Sequence, residues 1–91
     1  MLTERTINPK SISIYPNPAV DFIEVNLDHL STNKTKVTLY NIIGNEIKAD
    51  TEILDEHKLR IKVKEFSAGY YFIAIRDEEY NFKGTYKFLK R

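Results

Sequence analysis

The 91-residue sequence contains no cysteine and no tryptophan, and it has three glycines and three prolines. Without cysteine the chain cannot form a disulfide or a thiolate metal site. Three scattered glycines do not make a loop that cradles phosphates. No apolar run approaches the roughly 20 residues of a membrane-spanning helix. The first ten residues, MLTERTINPK, lack the apolar core of a signal peptide.

A strong charge imbalance is also missing, because the formal net charge is +1. Nucleic-acid binding by charge alone needs a large basic excess on one face, so we predict no nucleic-acid partner and no membrane insertion. With 42% hydrophobic and 30% charged residues, the composition is that of a folded domain. The length indicates one domain with a single core and little room for a deep catalytic cleft.

Motifs for catalysis are absent as well. There is no cysteine nucleophile and no Gly-x-Ser-x-Gly. The two histidines, His29 and His57, lie far apart in polar stretches without further ligands at metal spacing. The acidic clusters at 50–56 and 77–79 lack the alternating ligands and glycine of a calcium loop. We therefore predict no enzyme activity, no metal and no cofactor.

What the sequence does contain is alternation of apolar and polar residues with a period of two, which indicates strands. Turn signals recur about every 8 to 12 residues, as in an antiparallel sandwich. The stretch YYFIAIR is apolar on both faces and should run centrally, whereas residues 1–10 lack alternation and resemble a linker. The fold class is thus predicted as all-β, an antiparallel β-sandwich of about seven strands. The predicted strands are residues 11–15, 21–27, 36–42, 46–49, 59–63, 70–76 and 82–89.

Two local motifs lie between these strands. Pro16 and Pro18 flank Asn17 between the first two strands, and because proline lacks an N–H they should end the first strand and stiffen its exit. Gly44 supplies the positive φ that the third and fourth strands need for a tight hairpin.

A third motif, FSAGYY, fits the tyrosine corner of Greek-key sandwiches, in which a tyrosine hydroxyl bonds to the backbone a few residues upstream. Tyr71 would be that tyrosine, and Gly69 would adopt the conformation that the corner requires. A simple core aromatic at Tyr71 is compatible with the same fold.

The last ten residues, FKGTYKFLKR, hold four basic residues and no acid. They could form a recognition strand that docks electrostatically on a partner. Alternatively, lysines keep an edge strand from pairing with other edges, and the residues alone favour this second interpretation. The basic positions are Lys83, Lys87, Lys90 and Arg91.

Taken in order, the motifs YPNPA, VTLYN with its following glycine, GYY and YKFLKR resemble the type A C-terminal sorting domain of the type IX (Por) secretion system of Bacteroidetes. The resemblance covers residues 11–91. It also favours a recognition strand over a merely protected edge strand at the basic end of the chain. Asn45, Phe66 and Tyr70 depart from the family pattern. The matched positions are Pro16, Asn17, Pro18, Gly44, Gly69, Tyr71, Lys87, Lys90 and Arg91.

The resemblance implies an Ig-like Greek-key sandwich. Residues 1–10 would link an upstream cargo to the sorting domain at 11–91. The domain would direct that cargo through the periplasm and the outer-membrane translocon to the cell surface or the medium. A sortase-like surface protease would then remove the domain and attach or release the cargo.

The alternative function is an Ig-like or fibronectin-like spacer, or a carbohydrate-binding module, of an extracellular bacterial protein. A carbohydrate platform usually exposes coplanar aromatic rings, and the tyrosines here are distributed over different predicted strands. The oligomeric state is left open, since an exposed last strand could pair with a neighbour. The tyrosines in question are Tyr15, Tyr40, Tyr70, Tyr80 and Tyr86.

Overall fold

A computed structural model describes residues 8–91, and this part of the chain is all-β with a single short 3-10 helix. The helix, Pro9–Ser11, precedes the first strand, and Asn8 caps it by accepting a hydrogen bond from the Lys10 amide. Eight strands follow. They are β1 Ser13–Tyr15, β2 Phe22–Asn26, β3 Thr35–Asn41, β4 Glu46–Ile47, β5 Thr51–Ile53, β6 Lys58–Lys62, β7 Gly69–Asp77 and β8 Phe82–Lys90.

The strands form two antiparallel four-stranded sheets. Sheet 1 has the order β1-β2-β6-β5, and sheet 2 has the order β4-β3-β7-β8. The order of sheet 1 is that of strands A, B, E and D of an immunoglobulin domain, and β3, β7 and β8 take the places of C, F and G. The prediction of an Ig-like Greek-key sandwich is therefore confirmed.

All seven predicted strands are present, each within about two residues of its expected ends. The eighth strand, β5, was not predicted. All three of its residues are exposed and it lies at the edge of sheet 1, so it has no alternation to detect. As expected, β7 runs centrally in sheet 2, between β3 and β8.

The core lies between the two sheets. It is built from the side chains that point inward, which alternate with outward-pointing ones along each strand. Ile23 and Val25 of β2 and Leu59 and Ile61 of β6 face inward, as the alternation predicted. Sheet 2 contributes Leu39, Tyr71, Ile73, Ile75 and Phe88 to the same cluster. Within residues 8–91, no helix is long and apolar enough to cross a membrane.

Candidate recognition site

The Pro-Asn-Pro segment at residues 16–18, which we call the joint, connects sheet 1 to sheet 2. Before it, β1 pairs with β2 in sheet 1. Immediately after it, Ala19 forms a parallel bridge with Lys90 at the end of β8 in sheet 2. The Ala19 amide donates to the Leu89 carbonyl at 2.7 Å, and the Arg91 amide donates to the Ala19 carbonyl at 2.9 Å. The joint thus places backbone partners along the outer edge of β8.

Asn17, at the centre of the joint, adds a third hydrogen bond to this edge. Its side-chain oxygen Oδ1 accepts from the Leu89 amide at 2.9 Å, across 72 positions of sequence. Pro16 and Pro18 have no amide hydrogen to donate, and both are exposed, as is Asn17. The joint therefore ends β1 as predicted, and in addition it covers an edge that would otherwise offer unpaired backbone groups.

The tyrosine corner is present at the start of β7. The Tyr71 hydroxyl donates to the Ser67 carbonyl at 2.6 Å. Its ring contacts Phe66 and Phe88, with centroid separations of 5.0 and 5.6 Å. Gly69 has a φ of 143°, a conformation that residues with a side chain rarely adopt. Tyr71 thus acts both as a core aromatic and as a corner tyrosine.

The hairpin between β3 and β4 turns at Gly44, whose φ is 90°. Asn41 organises the turn, because its Oδ1 accepts from the amides of Ile43 at 3.1 Å and Asn45 at 2.9 Å. The prediction of a positive φ at Gly44 is confirmed. At the tip the side chains of Ile42 and Ile43 are exposed.

The basic end separates into exposed and buried parts. Lys87 and Arg91 are exposed, and the Lys87 ammonium lies 4.8 Å from the centre of the Tyr70 ring. Lys90 is only 6% exposed, and its Nζ donates to the Arg91 carbonyl at 2.6 Å. The Lys90 side chain therefore has a structural role, and of the three basic positions that match the family, Lys87 and Arg91 can present charge to a partner.

Strand pairing brings these motifs to one end of sheet 2. Asn41, Tyr71 and Phe88 are direct neighbours across β3, β7 and β8, and Gly69 pairs with Lys90. The hairpin glycine follows at the end of β3, and the joint lies against the end of β8. We call this end the motif pole. It comprises Pro16, Asn17, Pro18, Gly44, Gly69, Tyr71, Lys87, Lys90 and Arg91.

Two residues that contact the motif pole, Ala19 and Phe88, lie within the quoted motifs but were not among the positions predicted to matter. Ala19 is fully buried and makes both backbone bonds to the β8 edge. Phe88 is 1% exposed and stacks on Tyr71. A small residue directly after Pro-Asn-Pro was the available signal for Ala19. The alternation of the last strand was the signal for Phe88.

Beside the motif pole, Tyr86 ties β8 to the segment before β1. Its hydroxyl donates to the Pro9 carbonyl at 2.9 Å. Partial burial raises the pKa of this phenol above its ordinary value of 10.0, because burial disfavours the phenolate. In the described part of the chain, no three His, Asp or Glu side chains lie together in a way that could hold a metal ion.

The strand order and the tyrosine corner define an Ig-like β-sandwich. Comparison with protein-family models gives a match to the "Secretion system C-terminal sorting domain" over residues 13–90. The chain belongs to this family, the sorting domains of type IX secretion, which implies an upstream cargo and a secreted or surface-located protein. The family is not an enzyme family. Comparisons with curated proteins and with solved structures give no match.

Proposed function

We propose that residues 11–91 direct an upstream cargo, joined through residues 1–10, across the periplasm and through the type IX outer-membrane translocon. A sortase-like surface protease would then remove the domain, leaving the cargo attached to the cell surface or released. The observation that carries this proposal is the motif pole, where motifs far apart in sequence meet at one end of sheet 2. The family match over residues 13–90 supports sorting over a spacer role.

Within the motif pole, we propose that the exposed cations recognise the machinery and that the joint has a structural role. Lys87 and Arg91 are exposed, so their charges can meet an acidic partner surface. Asn17 and Ala19 already use their hydrogen-bonding groups on β8. A partner docking here would therefore contact a strand end that the joint holds in place.

Export of a fused reporter tests the roles of Lys87 and Arg91. The reporter, with a signal peptide, is joined ahead of residue 1 and expressed in a bacterium that has the type IX system. We expect Lys87→Ala/Arg91→Ala to reduce surface and medium reporter at least tenfold while the melting temperature of the domain stays unchanged. The matched control is Lys62→Ala/Lys64→Ala, which removes two exposed lysines on the side of sheet 1. Equal export of both variants would contradict the recognition role.

The joint needs a separate test. Deleting Lys90 and Arg91 would not separate recognition from folding, because it removes the bridge to Ala19. We expect Pro16→Ala/Pro18→Ala to lower the melting temperature and export together. Lost export with an unchanged melting temperature would show instead that the machinery reads the joint directly.

One observation favours the carbohydrate-binding alternative more than the sequence suggested. Although the aromatic residues lie on different strands, Tyr40 and Phe72 are direct cross-strand neighbours. They share the outer face of sheet 2 with Tyr70, since the inward positions of β7 are the buried Tyr71 and Ile73. The outer face of sheet 2 therefore carries neighbouring aromatic side chains.

A further inference from the structure

A row of three cations crosses the outer face of sheet 2. Lys36 of β3 pairs in register with Arg76 of β7, and Arg76 pairs with Lys83 of β8. All three side chains are exposed. Directly opposed residues on one face of a sheet have their Cβ atoms about 5 Å apart. Three positive charges are thus held next to one another across three strands.

Like charges in direct cross-strand positions destabilise a sheet unless counter-charges are present. Among residues 8–91, no carboxylate forms an ion pair with any of the three cations. The pKa of Glu46 is lowered mainly by Lys48, whose ammonium lies 2.8 Å from the Glu46 carboxylate. The positive charge of Lys36 makes a smaller contribution to lowering the same pKa. The row therefore has room for anions from outside the chain.

An open trough of about 380 Å³ lies beside the cation row. It exists because Ala74, the small residue in the middle of the face, lies between Thr38 and Thr85 in register. Thr38 and Thr85 line the trough on either side of Ala74, and Tyr40 adds an aromatic residue to the lining. Cations, hydroxyl groups and an aromatic ring in one depression can bind the acidic groups, hydroxyls and faces of a sugar.

We propose that this trough is a binding site for an acidic polysaccharide, with its anionic groups on Lys36, Arg76 and Lys83. A peptide added as a strand would need a free sheet edge, whereas the trough lies over β7 with β3 and β8 already paired on either side. A single-stranded nucleic acid would stack successive bases on several aromatic side chains, whereas Tyr40 is the one aromatic residue among those that line the trough. This site does not depend on the sorting function.

Binding of the purified 91-residue chain to polygalacturonate at low ionic strength tests the proposal, with neutral dextran as the uncharged probe. We expect Lys36→Gln/Arg76→Gln/Lys83→Gln to weaken binding about tenfold, as the loss of three exposed charge contacts implies. Ala74→Leu fills the trough without changing charge and should also weaken binding. Added salt should weaken wild-type binding through screening.

The matched control is Lys10→Gln/Lys62→Gln/Lys64→Gln, which removes the same charge from exposed positions outside the row. It should bind within about twofold of wild type. Each triple variant is first checked for folding by circular dichroism, and removal of the opposed charges should not destabilise the domain. Equal weakening by both triple variants would overturn the proposal. Absence of polygalacturonate binding, or equally tight binding of polyglutamate or single-stranded DNA, would also overturn it.

Discussion

At the residue scale, Tyr70 and Tyr71 are neighbours in sequence with opposite environments. Tyr71 is buried in the tyrosine corner, and Tyr70 is exposed on the outer face of sheet 2. Tyr71→Phe removes the hydroxyl that bonds to the Ser67 carbonyl while the ring stays in the core. We expect a loss of about 1 kcal/mol in the free energy of unfolding, measured by urea denaturation. Tyr70→Phe, on the exposed outer face, is the matched control and should change it by less than about 0.5 kcal/mol. Equal losses for both variants would contradict the role of the corner.

A second residue, Tyr86, makes the stability of the folded domain depend on pH. Its pKa in the folded domain is raised by burial, while the unfolded chain has the ordinary value near 10.0. Folding thus favours the neutral phenol. The stabilisation that this phenol gives the folded domain is complete below about pH 10 and is lost as the pH rises through the folded pKa.

Melting curves between pH 8 and 11 should therefore show a shallower alkaline decline for Tyr86→Phe than for wild type. The phenylalanine keeps the ring but has no proton to lose. Parallel declines for the two proteins would mean that the burial of this phenol does not contribute to alkaline unfolding.

At the scale of elements, the sequence predicted strands well where one face is buried and poorly where none is. In β2 and β6 the buried residues alternate with solvent-facing ones, so both were found. The exposed strand β5 gave no such pattern. The motifs at Asn17, Gly44 and Tyr71 were recognised one by one because turns and corners are local. Their meeting at the motif pole depends on strand register, which local patterns do not specify.

The bond between the joint and β8 allows an element-scale prediction. Asn17→Ala removes the oxygen that accepts from the Leu89 amide, so that amide should exchange with solvent at least tenfold faster. The amides in the middle of β7 should keep their protection, because they belong to the core of sheet 2. Asn45→Ala, in the exposed hairpin, is a suitable comparison. Faster exchange throughout the domain would instead indicate a global loss of stability.

At the scale of the whole molecule, the question is where the domain begins. Sequence patterning indicated a linker up to residue 10, and the family match starts at residue 13. Pro9, however, starts a helical turn that Asn8 caps, and its carbonyl accepts from Tyr86 in the last strand. The following Ile12 is 4% exposed. These contacts tie the last residues of the predicted linker to the folded domain.

A double-mutant cycle tests this boundary. Removing residues 1–10 deletes the Pro9 carbonyl and should lower the free energy of unfolding by about 1 kcal/mol, the usual size of one hydrogen bond. In the Tyr86→Phe background the same truncation should cost little, because the bond is already absent. The difference between the two costs, measured by urea denaturation, is the coupling between the first turn and the last strand. Equal and substantial truncation costs in both backgrounds would contradict the coupling through the Tyr86 bond, whereas a negligible cost in wild type would place the start of the domain after the turn, as the sequence alone suggested.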